Sequence, residues 1–134
     1  MAGGDYRDDL TISNDAVLWR NIPPRHFVLD ENASAVRPSS AAFMDDPDNS
    51  PMSVLLGDEV LSSGRTAESI IANLEGFALA EFTASAVREC GQLVVRDPTD
   101  EEPAHALVVG DKKKRSIRRR IAENAKWLIP PGRS

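Results

Sequence analysis

Short apolar runs bounded by turn-forming residues recur along this chain, and they limit the folds open to it. Each run is rich in Val, Leu, Ile or Phe and has the length of a β-strand. Proline cannot donate to a strand ladder, so Pro23 and Pro24 close the first run, and Gly57 ends the third. The sequence therefore predicts short strands at residues 17–22, 26–29, 52–56, 92–96 and 104–109.

Two short helices are predicted between these strands from their capping residues. Thr66 is a suitable N-cap for an apolar stripe that stops at Gly76. Residues 77–91 fit either one continuous helix or a strand over 77–82 followed by a helix that Thr83 caps. We favour the strand followed by the helix.

A third helix is predicted over residues 111–129, near the C-terminus. Ile117, Ile121, Ala125 and Leu128 recur at the spacing of one helix face, with cations on the other face and a proline pair at the end. We therefore expect the last helix to be amphipathic and basic, with its apolar stripe in the core.

The order of these elements predicts one small α+β domain over residues 16–130, because a chain of 134 residues suffices for a single core. We expect a mixed or mostly antiparallel sheet of about five to six short strands, with two to three helices on one side. Residues 1–15 are rich in Asp and Gly and predict a flexible acidic arm. Residues 31–50 are rich in Asn, Ser, Pro and Asp and predict a long loop.

The cysteine content and the polar N-terminus indicate the compartment. Cys90 is the single cysteine, so no intramolecular disulfide can form and a reducing environment is expected. The first residues are too polar for a signal peptide, and no apolar run approaches the roughly 20 residues that span a bilayer. We therefore expect a soluble cytoplasmic protein that does not bind membranes.

Charge is distributed very unevenly along the chain. Residues 111–134, here named the C-terminal basic segment, hold nine of the 16 Lys and Arg residues and only two acidic ones. A basic block on an acidic body is the electrostatic pattern of a surface that binds phosphates or acidic proteins. The predicted binding residues are Lys112, Lys113, Lys114, Arg115, Arg118, Arg119, Arg120 and Lys126, and the ninth cation is Arg133.

These cations predict a small binding module whose basic helix engages nucleic acid or an acidic protein surface. Such a face can neutralise several phosphates at once while it reads little sequence. A solvated face, or one that pairs with the acidic body of the same protein, would produce the same pattern. The composition leaves homo-oligomerisation open. We expect the cations of the segment to be largely exposed, since burial of unpaired charge is costly.

A small enzyme that acts on a phosphodiester or a dinucleotide is the alternative function. His26 and His105 are the only histidines, and two imidazoles can share acid and base roles while a cation such as Arg20 stabilises the charged transition state. The two histidines begin different strands, so we expect them to lie too far apart to act together. The site of this alternative comprises Arg20, His26, Ser39, Ser40 and His105.

Two local patterns resemble known nucleotide-binding families. Arg20 on the first strand, followed by residues 37–43, resembles ADP-ribosyltransferase-like domains, in which a strand arginine and a later serine strand grip the dinucleotide, although the Glu-x-Glu of that family is missing. Residues 57–66 resemble a P-loop but have longer glycine spacing, and Arg65 stands in place of the lysine. The serines and amides of this segment remain a potential anion site.

The sequence contains no metal-binding motif. Spacings of the Cys-x-x-Cys, His-Glu-x-x-His and EF-hand types do not occur. We therefore predict neither a metal site nor a cofactor.

Overall fold

Eight strands and four α-helices make up the described part of this computed structural model, which covers residues 6–30, 32, 35–45, 50–112 and 114–132. The strands are β1 (Val17–Ile22), β2 (Phe27–Asp30), β3 (Ala35–Pro38), β4 (Met52–Leu56), β5 (Ala78–Thr83), β6 (Leu93–Arg96), β7 (His105–Val109) and β8 (Lys126–Ile129). The helices are α1 (Gly57–Ser62), α2 (Ala67–Ile71), α3 (Ala84–Arg88) and α4 (Arg115–Asn124), with 3-10 turns at Pro24–His26 and Ser40–Phe43. The predicted α+β fold class is confirmed.

Six strands form the main sheet in the order β6-β7-β4-β1-β5-β8, and each neighbouring pair is antiparallel. The strands β2 and β3 form a separate antiparallel hairpin. β1 pairs with β5 along its whole length, whereas its ladder with β4 stops after Leu18↔Leu56 and Trp19↔Leu55. The other half of β4 pairs only with β7. The sheet therefore forks at its centre, between β1 and β4.

Helices cover both faces of the sheet. Successive strand residues point to opposite faces, and Leu18 packs in one core cluster with Ile121 of α4, while Trp19 packs in another with Val60 of α1. Helix α3 contributes to the first cluster and α2 to the second. The expectation of helices on one side is therefore wrong, because both faces of β1 are apolar.

The predicted N-caps are confirmed, but the first predicted helix ends at Ile71 and does not reach Gly76. The Thr66 hydroxyl accepts from the Ser69 amide at the start of α2. The Thr83 hydroxyl accepts in the same way from the Ala86 amide at the start of α3, directly after β5. Residues 77–91 thus contain a strand followed by a helix, as we favoured.

Gly57 follows the last residue of β4, as predicted, and it is also the first residue of α1. A β-carbon at this position would lie 2.5 Å from Nε1 of the Trp19 side chain. The glycine is therefore required by close packing of α1 on the sheet.

The C-terminal helix is shorter than the predicted span of 111–129. Helix α4 ends at Asn124, and the next residues form β8, which pairs with the exposed edge of β5. Ile121 is buried and Ile117 packs against the core, but Leu128 lies on β8 and is 37% exposed. The helical periodicity therefore predicted the wrong element for residues 126–129. As a strand, these residues supply hydrogen-bond partners to the backbone of β5, which a helix could not do.

The described part of the N-terminal arm packs on the domain instead of extending from it. The Asp9 amide donates to the Val94 carbonyl, and the Val94 amide donates to the Asp8 carboxylate, so the arm covers the edge strand β6. Ile12 is buried in the first core cluster. Contacts with the domain therefore begin within the arm, its predicted flexibility stays a prediction, and residues 1–5 lie outside the described residues.

The predicted loop over 31–50 also contains ordered structure. Strand β3 pairs with β2, and the 3-10 turn that follows buries Ala42 and Phe43. The Phe43 ring meets Phe82 edge to face, with 5.5 Å between ring centroids. Residues 31, 33–34 and 46–49 lie outside the described residues. No helix in the described ranges is long and apolar enough to cross a membrane.

Candidate functional site

A cavity of about 860 Å³ opens at the fork between β1 and β4 and is here named the fork cavity. Its volume falls in the range of roughly 300–1,000 Å³ that is typical of small-molecule sites. Polar side chains on its lining include Arg20, Arg25, His26, Asp45 and His105. Apolar side chains on its lining include Leu55, Ile70, Phe77 and Leu79. A space with this lining suits a ligand that has both a charged and an apolar part.

Arg20 lies on β1 at the fork and ties its two sides together. Its Nε donates to the Ala42 carbonyl and its Nη1 to the Ser53 carbonyl, both at 2.7 Å. A weaker contact of 3.4 Å joins Nη2 to the Met44 carbonyl. Carbonyl oxygens satisfy these donors but carry no net charge. Arg20 therefore fixes the cavity wall and also places a positive charge beside the cavity.

His26 ends the 3-10 turn that Pro23 and Pro24 begin, and its backbone is held on both sides. The His26 amide donates to the Pro23 carbonyl, and the His26 carbonyl accepts from the Ser39 amide. Its ring Nδ1 is buried and has no hydrogen-bond partner within the described residues. Burial, followed by the positive charges of Arg25 and Arg20, lowers the pKa of His26 from 6.5. The ring is therefore neutral at pH 7.

His105 is the first residue of β7 and lies across the fork from β1. It pairs with Leu55 of β4, which in turn pairs with Trp19, so the three residues form one row across the sheet. Its ring Nδ1 lies 3.0 Å from the Asp97 backbone carbonyl and 3.1 Å from Oδ2 of the same residue. The ring is thus oriented by a neighbouring carboxylate.

Asp97 was not among the site residues predicted from the sequence. The hairpin between β6 and β7 pairs Arg96 with Ala106, so its next step places Asp97 opposite His105. The Asp97 amide indeed donates to the His105 carbonyl at 2.9 Å. The register of this hairpin was the signal that could have revealed the pair.

Arg65 and Glu102 form a bidentate ion pair at one end of the fork cavity. The two guanidinium nitrogens lie 2.8 and 2.7 Å from the two carboxylate oxygens. Hydrogen bonds from Arg65 lower the pKa of Glu102, and the same contact raises the pKa of Arg65. The pair links the turn between α1 and α2 to the loop before β7.

The segment that resembles a P-loop uses its polar groups internally. The Ser63 hydroxyl donates to the Val60 carbonyl and accepts from Arg65 Nε. The Thr66 hydroxyl caps α2, as described above. These contacts therefore give no support to an anion site in this segment.

Asp45 and Lys112 form an ion pair at the other side of the fork cavity. Lys112 is 4% exposed, and its Nζ donates to Asp45 Oδ1 at 2.7 Å and to the carbonyls of Val108 and Gly110 at 2.7 and 3.2 Å. Burial lowers the pKa of Lys112, while Asp45 opposes this shift. The prediction that Lys112 is an exposed binding cation is wrong, because all three ammonium hydrogens have acceptors within the fold.

Most of the other described cations of the C-terminal basic segment lie at the surface. Arg118 is half-buried, and its Nη1 donates to the Lys112 carbonyl. Lys113 and Arg133 lie outside the described residues. The exposed cations are Lys114, Arg115, Arg119, Arg120 and Lys126.

Ser39 and Ser40 lie next to the fork cavity but do not line it. The Ser39 hydroxyl accepts from the Ala41 amide at 3.1 Å and caps the 3-10 turn. Both serines follow β3 instead of lying within it, which departs from the serine strand of ADP-ribosyltransferase-like domains. Their role in the structure is to place the next two residues, Ala41 and Ala42, on the cavity wall.

The fork cavity brings together Arg20, His26 and His105 from the predicted catalytic set, and leaves out the two serines. Both histidines of the chain line the same cavity. Within the described ranges, no group of three or more His, Cys, Asp or Glu side chains could hold a metal ion. Comparisons with models of known protein families, with curated proteins and with solved structures found no match.

Proposed function

We propose that this protein is a small enzyme that acts on a phosphodiester or a dinucleotide bound in the fork cavity. The observation that carries the proposal is the convergence of both histidines of the chain, with Arg20 and Arg25, on one partly apolar cavity. Titratable groups that meet in an apolar-walled pocket are the usual arrangement of an active site.

The charges at the cavity favour an anionic substrate. Asp45 and Glu102, the carboxylates on the lining, are each paired with a cation. Arg25 is exposed at the cavity and has no hydrogen bond or ion pair within the described residues. Phosphate oxygens are natural partners for such a guanidinium. Phe77 and Ile70 offer an apolar surface to the base of a nucleotide.

Hydrolysis of a phosphodiester would use the two imidazoles in complementary roles. His26, which is neutral at pH 7, takes a proton from water as the water oxygen bonds to phosphorus. The bond from phosphorus to the leaving oxygen breaks, and that oxygen takes a proton from the His105 imidazolium. Arg25 stabilises the charge on the phosphoryl oxygens. The products are a phosphomonoester and an alcohol, and the two histidines regain their starting states by exchange with solvent.

The test is a turnover assay with three probes: bis(p-nitrophenyl) phosphate, a short RNA and NAD⁺. We expect the wild-type chain to cleave at least one, and His26→Gln and His105→Gln each to lower kcat by about 10²–10⁴-fold. Arg7→Gln, which removes an exposed cation of the N-terminal arm, is the control and should keep full activity. Circular dichroism melts would check that each variant is folded. Lack of turnover with all three probes, or full activity in either histidine variant, would overturn the proposal.

Binding of nucleic acid or of an acidic protein surface by the C-terminal basic segment is a second candidate function. It is favoured by the exposure of five cations of the segment, while Glu123 is the single acid of helix α4. A cluster of this kind binds phosphates through charge alone. The two proposals concern different surfaces and can be tested separately.

A further inference from the structure

The hairpin of β6 and β7 holds the His105 ring against two oxygen atoms of Asp97. The Asp97 amide donates to the His105 carbonyl, so the backbones of the two residues are already fixed to each other. Nδ1 of the ring then lies 3.0 Å from the Asp97 carbonyl oxygen and 3.1 Å from Oδ2. Both distances are those of normal hydrogen bonds.

These contacts determine where the ring carries its hydrogen. A carbonyl oxygen and an ionised carboxylate oxygen can only accept hydrogen bonds, so Nδ1 must be the donor to either of them. Nδ1 therefore carries a hydrogen in both the neutral ring and the imidazolium. The proton that the ring gains or loses is then the one on Nε2, which has no hydrogen-bond partner within the described residues.

Glu102 lies close enough to interact electrostatically with His105, but its carboxylate accepts hydrogen bonds from other groups. Glu102 is held by both prongs of Arg65 and by the Ala104 amide. The His105 side chain is 21% exposed and that of Asp97 is 51% exposed, so the ring is partly shielded while its carboxylate partner stays hydrated. Asp97 is thus the one carboxylate within hydrogen-bond distance of the ring among the described residues.

We propose that Asp97 is a positioning residue, which fixes the His105 ring and confines its transferable proton to Nε2, the atom that protonates the leaving oxygen in the fork cavity. The part of this inference that concerns proton transfer rests on the proposed function. The part that concerns the tautomer does not, because it depends on the contacts of Nδ1 alone. A carboxylate behind a histidine that directs its reactive nitrogen outward is a recurrent device in acid–base catalysis.

Nuclear magnetic resonance of the full chain labelled with ¹⁵N-histidine tests the tautomer directly. The chain has two histidines, so His26→Gln assigns the remaining signals to His105. In the neutral ring, we expect Nδ1 of His105 to have the shift of a protonated nitrogen and Nε2 that of an unprotonated one. Asp97→Ala removes Oδ2 and leaves the backbone carbonyl as the one acceptor for Nδ1, so both shifts should move away from their wild-type values. Asp100→Ala in the same loop is the matched control and should leave them unchanged.

A hydrogen on Nε2 of neutral wild-type His105, or identical ring shifts in wild type and Asp97→Ala, would overturn the inference. Asp97→Asn provides a second variant that keeps the size of the side chain. With a substrate from the assay above, both Asp97 variants should lower kcat by about tenfold or more and leave KM nearly unchanged. If none of the probes reacts but the shifts behave as expected, the proposed function fails while the assigned tautomer stands. A normal kcat in both variants would refute the catalytic part.

Discussion

The ammonium group of Lys112 lies 2.7 Å from Oδ1 of Asp45 and joins the segment after β7 to the wall of the fork cavity. The same Oδ1 accepts from the Met52 amide at the start of β4. One carboxylate therefore connects the segment before β4, the first residue of β4 and the segment after β7. A basic residue that looked like part of a binding surface is thus a structural component of the cavity.

Replacing Lys112 should destabilise the fold. Lys112→Met leaves the Val108 and Gly110 carbonyls without this donor and Asp45 without its cation, so we expect a loss of about 2–4 kcal/mol of unfolding free energy. Urea denaturation measures the change. Lys114→Met, which removes an exposed cation nearby, should stay within about 0.5 kcal/mol of wild type. Equal midpoints for the two variants would mean that the Lys112 contacts do not matter.

Gly57→Ala should also destabilise the protein, because the added β-carbon would meet the indole of Trp19 at 2.5 Å. Overpacking of this kind costs about 1–3 kcal/mol. The indole is held in place by its hydrogen bond to Glu81, so it has little freedom to move away. Thermal melts with tryptophan fluorescence give both the stability and the change in the indole environment. Ser62→Ala, at an exposed position of the same helix, is the control. If Gly57→Ala were as stable as Ser62→Ala, the close contact with Trp19 would be disproved.

His26 should make stability depend on pH. Its pKa in the folded protein lies below the ordinary value of 6.5, so the unfolded chain binds this proton more readily than the folded one. The contribution of His26 is therefore fully present above about pH 6.5 and is lost as the pH falls through the folded pKa. His26→Gln should flatten the decline of unfolding free energy between about pH 8 and pH 5.5. An unchanged slope in this variant would contradict the assignment.

The C-terminal basic segment should bind nucleic acid with a strong dependence on salt, if the second candidate function holds. Affinity should fall by roughly one power of salt concentration for each phosphate neutralised. Replacing the exposed residues Arg115, Arg119 and Arg120 by Ser should reduce that slope, and Arg7→Ser on the N-terminal arm should not. Fluorescence anisotropy with DNA and RNA oligonucleotides measures both effects. No binding at about 50 mM salt would refute the nucleic-acid function and would favour an acidic protein surface or a second copy of this chain as the partner.

Much of the secondary structure could be predicted from local patterns. The strands β1, β4, β6 and β7 coincide with apolar runs between turn residues, and Thr66 and Thr83 mark the starts of two helices. Strand β8 was missed, because its four residues also fit the periodicity of the preceding helix and only the free edge of β5 selects the strand. Local patterns therefore give the elements, while tertiary pairing decides the ambiguous ones.

The candidate site could be predicted only in part. Arg20, His26 and His105 were identified as reactive types, but their convergence depends on β1, β4 and β7 being neighbours in the sheet, which no local pattern reveals. Lys112 and Asp45 were missed as a pair for a related reason. The distribution of charge along the chain does not show which lysine is buried and bound to a carboxylate that is distant in sequence.

The short ladder between β1 and β4 has a mechanical consequence for the molecule. The six-stranded sheet consists of two three-stranded halves, β6-β7-β4 and β1-β5-β8. The halves meet at the seam between β1 and β4, where only Leu18 and Trp19 of β1 have paired partners. Few backbone hydrogen bonds cross this seam, so the separation of the halves is governed by side chains, chief among them the bridging guanidinium of Arg20. Arg20 thus spans the seam where the backbone ladder is absent, so its hydrogen bonds to the Ser53 and Ala42 carbonyls help to set the distance between the two cavity walls.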